Sequence, residues 1–512
     1  MLAIDCGTQS VRAMLFDAQG NLVAKVKEEF TPYFSVQPGW TEQEVDLYYE
    51  ETCKACQKLM GDYPQYKSFI VGVTVTTQRD TCICLDKELK PLRPAILWMD
   101  QRKVTLSKKL PLDKQMMVSL VGMNEAVDSF RKNYKAEWIK QYEAEIWEKT
   151  HKYIFLSGYL IYKLSGRLID SDAAQVGHVP FDYKNRQWVM GNDLKSYIFP
   201  IEKEKLIELG LPGEIIGQIT EKASRETEIP AGIPIVLSGS DKGCETYGNG
   251  CIDAKTASIS LGSTATVQTT MDKYCEVVQF VPPYPSVIYG KYNPELQVRR
   301  GYWMISWFKN EFAQKEVEQA KITGIAPEII LNRELNKIPP GSHGLLLQPY
   351  WGAELKNPEA KGAMIGFGAV HTRLHIYRAI IEGIGYALYE GIEMIEKKSG
   401  QKVEQVAISG GGSQSDAICQ ISADIVNRNT YRVQTYETSG LGAAMVAFQG
   451  LEYYKNYQEV VKNMVRITDV FEPHKEAAQI YDELYRKIYK QLYKKLSPLY
   501  KEIRWITKYP SY

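Results

Sequence analysis

The stretch Ile235–Val267, IVLSGSDKGCETYGNGCIDAKTASISLGSTATV, constrains this chain most, and it lies almost at the middle. Ile235, Val236 and Leu237 predict a buried strand that empties into Ser238-Gly239-Ser240-Asp241-Lys242-Gly243. Small residues there let a ligand approach the backbone, and they leave one carboxylate, Asp241, projecting from a strand end. After a short glycine-rich helical segment, Ala257–Leu261 predicts a second strand, ending in Gly262-Ser263-Thr264. That turn offers backbone N–H groups and hydroxyls with almost no bulk, which suits a phosphate. A lone carboxylate and a phosphate-type turn in one unit suggest proton abstraction beside phosphoryl transfer. Either turn alone also fits ordinary strand-to-turn punctuation, so the rest of the chain has to decide.

A chain of 512 residues is too long for one core. Two domains are expected, 1–250 and 251–512, with the boundary between the two central turns. The balance of 62 basic and 61 acidic residues gives a net charge of +1, which supplies no global field for nucleic acid or a membrane surface. No apolar run reaches the roughly 18 to 20 residues of a membrane helix. Met1-Leu2-Ala3-Ile4-Asp5 reads directly as a strand rather than a secretory signal, so a cytoplasmic protein is expected. The nine cysteines are scattered, and Cys53-x-x-Cys56 stands alone on a helical pattern, so neither a disulfide framework nor a zinc site is expected.

Near the start, Leu2-Ala3-Ile4 predicts a buried strand, Asp5-Cys6-Gly7-Thr8-Gln9-Ser10 a polar turn, and Val11–Phe16 a returning strand. Asp5 at a strand end, followed by small hydrogen-bonding residues, suits Mg²⁺ held through water beside phosphate oxygens. Thr41 with Glu44 has the spacing of a capping box, and Trp40 is a plausible site wall. Phe69–Thr77 predicts a strand covered on both faces and ends in Gln78-Arg79-Asp80; a second polar cluster, Trp98-Met99-Asp100-Gln101-Arg102, ends the next apolar run. Such residues can grip vicinal hydroxyls of a polyhydroxylated ligand, although an internal Arg79–Asp100 ion pair is the plainer alternative. Asp172 fits a site or a cap equally well.

In the second half Ser342–Gln348 predicts a strand and 349–356 a loop. A helix over His371–Lys398 carries Ile376, Ile380, Ile384, Leu388 and Ile392 as a core stripe. Val403–Ile408 then predicts a strand, Ser409-Gly410-Gly411-Gly412-Ser413 a turn, and Gln414–Val426 a helix, a geometry in which backbone lies flat against a nucleotide. The turn is neither a Gly-Lys-Ser/Thr phosphate loop nor a GxGxxG fingerprint. From Ala477 to Leu499 a helix is expected to pack through Ile480, Leu484, Ile488 and Leu492. Each half offers a strand, a hairpin turn and a later strand-glycine-helix, which suggests an internal duplication.

Taken together, AIDCGTQSVRAMLFD, SGSDKG, ISLGSTATV and AISGGGSQSDAICQISADIVN resemble, in order and end to end, the FGGY carbohydrate kinases, relatives of actin, hexokinase and Hsp70. Gly362-x-Met364-x-Gly366 followed by His375-Ile376-x-x-Ala379-Ile380-Ile381-Glu382 is similar to that family's C-terminal signature, with Phe367 in place of the usual aliphatic. Gly39-Trp40-Thr41-Glu42 and Lys135-x-x-Trp138 also look like family landmarks. The resemblance implies an α/β fold of two RNase H-like domains flanking a cleft that takes ATP, Mg²⁺ and a small sugar or polyol. It implies Asp241 as general base and Asp5 as the residue that organises Mg²⁺. Gly7, Thr8 and Gln9 would cradle terminal phosphates, Gly262, Ser263 and Thr264 a second phosphate turn, and Gly410, Gly411, Gly412 and Ser415 the adenosine. Gln78, Arg79, Asp80, Trp98 and Asp100 would hold the acceptor.

Gln78-Arg79-Asp80 is similar to the Gln-Arg-Glu of glycerol kinases and unlike the Met-His of xylulokinases, yet Lys242 stands where glycerol kinases usually carry Gln. A pentulose such as xylulose, or a glycerol-like polyol, is the expected substrate. The segment Gly301-Tyr302-Trp303 lacks the family's usual third glycine-rich turn, so adenine contacts are not expected there. A homodimer is left open. The alternative is a non-catalytic regulatory or chaperone-like module, which would carry an appended peptide-binding or helix-turn-helix domain; the sequence shows neither.

Overall fold

The structure is a computed structural model that describes residues 1–106, 108–279, 281–351 and 360–509. The first sheet takes strands β1 (Leu2–Cys6), β2 (Ser10–Phe16) and β3 (Leu22–Glu29), an antiparallel meander. Helix α1 (Val45–Asp62) crosses back, and β4 (Val73–Thr77) pairs parallel to β1. Strand β5 (Ile215–Gln218) forms an antiparallel edge on β6 (Pro234–Ser240), which is parallel to β4. The order is β5-β6-β4-β1-β2-β3.

Helix α2 (Asp241–Gly248) leads into a second sheet that repeats the plan. Strands β7 (Thr256–Leu261), β8 (Ala265–Gln268) and β9 (Glu295–Val298) form its meander. Helix α3 (Arg373–Ser399) precedes β10 (Gln405–Ser409), parallel to β7. Helix α4 (Asp416–Val426) precedes β11 (Thr430–Val433); helix α5 (Thr438–Gly450) then leads to the antiparallel edge β12 (Ile467–Phe471). The order β9-β8-β7-β10-β11-β12 mirrors the first sheet, and this α/β duplication is the one expected.

Each sheet has its own apolar core. One face of the first packs on α1 through Val45, Tyr48, Ala55 and Leu59; its other face packs on α2 and α5 through Met14, Phe16, Cys244, Tyr247 and Leu441. The second packs on α3 through Ile380, Ile384, Leu388 and Ile392, four of the five stripe positions expected. The remaining one, Ile376, is partly buried at the edge. Helices α2 and α5 cross almost backbone to backbone: a Cβ on Gly442 would stand 1.9 Å from the Cys244 carbonyl oxygen, and one on Gly248 2.1 Å from that of Thr438.

Local expectations shifted in three places. Thr41 caps nothing: α1 starts at Val45, Glu42–Gln43 pairs with Ala95–Ile96, and the Thr41 N–H is taken by Asp100 at 2.7 Å. The strand expected over Ser342–Gln348 is only Leu346–Gln348, preceded by a 3₁₀ turn; most of the loop expected over 349–356 lies outside the described residues. The C-terminal helix runs as α6 (Lys475–Leu484), a π-turn at Tyr485–Tyr489 and α7 (Lys490–Thr507). It packs through Tyr481, Tyr485, Tyr489 and Leu492, whereas Ile480 and Ile488 face solvent. Tyrosine wins because its ring fills the core while its hydroxyl finds a partner: Tyr481 donates to Glu382 at 2.7 Å and Tyr485 to Glu393 at 2.8 Å. No helix among the described residues is long and apolar enough to cross a membrane.

Asp170 stands behind β6, fully buried, on the strand Ile169–Ser171. It accepts bonds from Ser157 and Gln175, both at 2.7 Å, and the adjacent Ser171 hydroxyl donates to the Ser238 carbonyl at 2.6 Å. Burial outweighs those bonds and pushes the Asp170 carboxyl up to about 6. Unfolded, it ionises near 3.8, so between the two pH values the native state holds an extra proton, and rising pH removes stability. Wild type is therefore expected to lose up to about 3 kcal/mol relative to Asp170→Asn between pH 4 and 6, read by urea unfolding at several pH values. Gly442→Ala is expected to cost at least about 2 kcal/mol through backbone overpacking, seen as a lowered midpoint in thermal scans.

Candidate active site

The parallel strands of the first sheet end at one edge, and two carboxylates stand there. Asp5 sits at the end of β1, buried, opposite Arg12 in register and 3.6 Å from its guanidinium. Burial raises its pKa, Arg12 opposes, and the negative charges of Asp241, Glu437 and Glu245 add to the rise, leaving Asp5 at about 7. Asp241 is the first residue of α2, directly after β6. Ser240 caps that helix by accepting the Gly243 N–H at 3.3 Å. The Asp241 Oδ1 accepts its neighbour's N–H at 2.8 Å and lies 3.9 Å from Arg79. A helix N-terminus favours the charged carboxylate, but burial raises Asp241 despite Arg79 and Lys242.

The second sheet presents its strand ends as glycine turns. Gly410 needs its positive φ of 81°, and a Cβ there would strike the Leu261 backbone at 2.9 Å. Gly412 is pressed against Tyr302, where a Cβ would come within 2.5 Å of the ring; Gly411 opens onto free space. Ser415 caps α4. At the neighbouring turn the Tyr302 and Trp303 N–H groups donate to the Gly262 and Ser263 carbonyls at 3.0 and 3.3 Å, and the Thr264 hydroxyl donates to Arg299. Tyr302, in the segment where no adenine contact was expected, thus packs directly on the triple-glycine turn.

The hairpin turn completes the first wall. Gly7 donates to the Ser10 carbonyl at 3.0 Å, and Gln9 is exposed. The Thr8 hydroxyl donates to Gln78 at 2.7 Å and accepts the Trp98 indole N–H at 3.1 Å, so three expected site residues are joined. Arg79 pairs not with Asp100 but with Glu295 on β9, at 2.9 and 3.1 Å, under the Tyr284 ring. Burial alone would lower its pKa; Glu295, Tyr284 and Asp241 outweigh that and hold it up. Asp80, at a φ of 52°, binds Lys135 at 2.9 Å and His178 at 2.8 Å. Burial opposes its charge, but these two partners prevail and hold it well below the usual carboxylate range. Asp100 has no exposed side-chain surface and spends both oxygens on Arg102 and the Thr41 N–H. Arg102 in turn stacks on Trp40 and Trp138, 4.3 and 4.5 Å from the ring centres, so Trp40 is a packing residue of that layer. Asp172, buried, is held by Arg186 at 2.6 and 2.7 Å.

Between the sheets, α2 turns a polar face toward the second one. Lys242 donates to Glu245 and to Ser260 on β7, both at 2.7 Å. Glu245 accepts from Ser409, the residue before Gly410, at 2.7 Å, and Asn249 donates to Ser258 and Ser409. Thr246 donates to Gln268, which donates to Glu295. The carboxylate edge and the glycine turns are therefore joined by one hydrogen-bonded seam.

Sequence reading missed Glu295, Tyr284 and Glu437, which reaches Arg12 at 3.4 Å and Lys25 at 2.9 Å. Each lies in the other half of the chain from its partner, and nothing local marks it. His371 and His375, four residues apart, come together with His343, but the His375 nitrogens are already engaged by Thr372 and His343, at 3.1 and 3.0 Å.

Comparison with known proteins agrees with this architecture. Residues 1–248 match the N-terminal domain, and 257–451 the C-terminal domain, of the FGGY family of carbohydrate kinases. An uncharacterized sugar kinase of Escherichia coli (strain K12) is 28% identical over 94% of this chain and 91% of its own length. A xylulose kinase of Staphylococcus epidermidis (strain ATCC 12228 / FDA PCI 1200) is 26% identical, covering 95% of both chains. In fold, a gluconate kinase from Lactobacillus acidophilus superposes with a TM-score of 0.80 at 21% identity, over 98% of this chain and 100% of its own. With both domain models matched in order along a duplicated sheet, the chain belongs to the FGGY family of carbohydrate kinases.

Proposed function

We propose that the protein phosphorylates a hydroxyl of a small, uncharged sugar or polyol, a pentulose such as xylulose or a glycerol-like acceptor, using ATP and Mg²⁺, with Asp241 as general base. The observation that carries this reading is Asp241 at the start of a helix whose polar face is bonded to the strands that end in Gly262 and Gly410. Residues 1–250 would supply acceptor site and base, and 251–512 the nucleotide site.

The donor set fits the magnesium ion and the phosphates. Burial raises Asp5 most, Arg12 opposes, and the charges of Asp241, Glu437 and Glu245 add to the rise; a divalent cation at this edge would favour its ionised form. Gly411 leaves backbone open where a nucleotide would lie. In this reading Asp5 holds the ion, Gly7, Thr8, Gln9, Gly262, Ser263 and Thr264 take phosphate oxygens, and Gly410, Gly411, Gly412 and Ser415 take adenosine. Bound ATP supplies the phosphoryl group, and the ion offsets its charge.

The chain's own work is positioning and proton removal. Phosphoryl transfer of this kind depends on alignment and charge stabilisation more than on covalent chemistry. Asp241 accepts the acceptor's proton late, once bond formation has acidified the hydroxyl, so a carboxylate suffices. Gln78, Arg79 and Trp98 would contact the acceptor; Asp80 and Asp100 would act through Lys135, His178 and Arg102. An uncharged acceptor is favoured because these cations are already paired: Arg79 with Glu295 and Lys135 with Asp80.

ATP consumption against xylulose, other pentuloses, glycerol and gluconate tests the reading. A neutral acceptor is expected to be turned over and gluconate to be the poorest of the panel; preference for gluconate would remove the argument from paired cations. Asp241→Ala is expected to lower kcat by about 10²- to 10⁴-fold with binding of an ATP analogue changed less than about threefold. A variant that kept more than about a tenth of kcat would exclude Asp241 as the base.

A further inference from the structure

Lys242 follows the proposed base directly, and its ammonium reaches across the gap between the halves. Its backbone N–H donates to the Asp241 Oδ1 at 2.8 Å, while its Nζ donates to the Ser260 Oγ and the Glu245 Oε2, both at 2.7 Å. Ser260 lies two residues before Gly262, and Glu245 accepts from Ser409, one residue before Gly410. The residue after the base therefore bonds directly to the strand that carries the first glycine turn, and reaches the strand that carries the second only through Glu245. Other bonds join α2 to the second sheet, from Thr246 and Asn249, but they start a turn or two further from Asp241.

We propose that Lys242 is the positioning residue that sets the distance between the base carboxylate and the phosphate turn at 262–264, by clamping the first turn of α2 to β7. This rests on the reading of Asp241 as base. In the step it serves, an acceptor oxygen forms a bond to the γ-phosphorus, the bond from that phosphorus to the ADP oxygen breaks, and the acceptor proton passes to Asp241. Lys242 neither takes nor gives a proton. Without the clamp the helix start is held to the second sheet only from its later turns, and Asp241 drifts from the line of attack. Misplacement of about 1 Å costs about 10²-fold in such steps.

The test separates alignment from binding and from folding. Lys242→Met keeps the stem and removes the charge and both bonds. It is expected to lower kcat about 30- to 100-fold while KM for ATP and for acceptor each change less than about threefold. Lys242→Arg, which keeps the charge, is expected to recover at least about a third of the lost logarithm of kcat. Ser260→Ala, a smaller change, is expected to lower kcat about tenfold, and adding it to Lys242→Met should cost nothing more, since both remove the same clamp. The proposal is overturned if Lys242→Met keeps kcat within twofold, if its loss appears in KM instead, or if the two losses multiply. Should Lys242→Met not fold, Ser260→Ala alone decides, and a kcat within twofold of wild type rejects the clamp. Asp241→Asn run alongside tells the two readings apart. If it is inactive while Lys242→Met is unimpaired, only the clamp falls; if it stays active, the base assignment falls.

Discussion

A buried seam of hydrogen-bonded polar side chains joins the two sheets, and the site exists because that seam ends at Asp241. Helix α2 meets the first sheet and α5 through Cys244, Tyr247 and two glycine contacts, all apolar or backbone. It meets the second sheet through Lys242, Glu245, Thr246 and Asn249. Apolar packing of that closeness does not slide, whereas a polar seam can exchange partners at lower cost, as interfaces between domains commonly do. The helix thus belongs to the first half by packing and to the second by hydrogen bonds, and its first residue is the carboxylate between them.

The same logic explains why the charges sit where they do. Buried ions persist when paired. Arg79 from the end of β4 meets Glu295 on β9, and Arg12 on β2 and Lys25 on β3 meet Glu437 before α5, so three ion pairs among the described residues cross between the halves. Asp80 and Asp100 are fully engaged within the first half. What remains short of positive charge is the strand edge with Asp5 and Asp241, where burial raises both carboxyls. In the proposed reading a bound cation at this edge would favour the ionised form of both.

Much of this was legible in the sequence, for physical reasons. Strands buried on both faces write themselves as apolar or β-branched runs, and a turn that needs positive φ and close approach writes itself as glycine; β1, β4, β6, β7 and β10 and the turn at 410 were legible that way, while Gly262 marked its turn although a Cβ would fit there. The duplication showed because the same order of runs and turns recurs. Partners contributed from far along the chain left no local mark, which is why Glu295, Glu437 and Tyr284 were missed and Arg79 was given the wrong alternative partner. The tyrosine stripe of the C-terminal helix was misread because hydropathy ranks isoleucine above tyrosine, while the core accepted rings, two of which, Tyr481 and Tyr485, have hydroxyls that donate to carboxylates. Thr41 was misread as a cap because its N–H partner, Asp100, lies beyond any local window.

The central claim is that the carboxylate edge of one sheet and the glycine turns of the other form a single phosphoryl-transfer cleft. A crystal structure with a non-hydrolysable ATP analogue, Mg²⁺ and xylulose tests it most directly. The account predicts phosphates between the turns at 7–9 and 262–264, adenosine against 410–412, and an acceptor hydroxyl within about 2.6–3.2 Å of the Asp241 carboxylate. Nucleotide bound away from these turns, or an acceptor held beyond the reach of Asp241 in the closed complex, would contradict it.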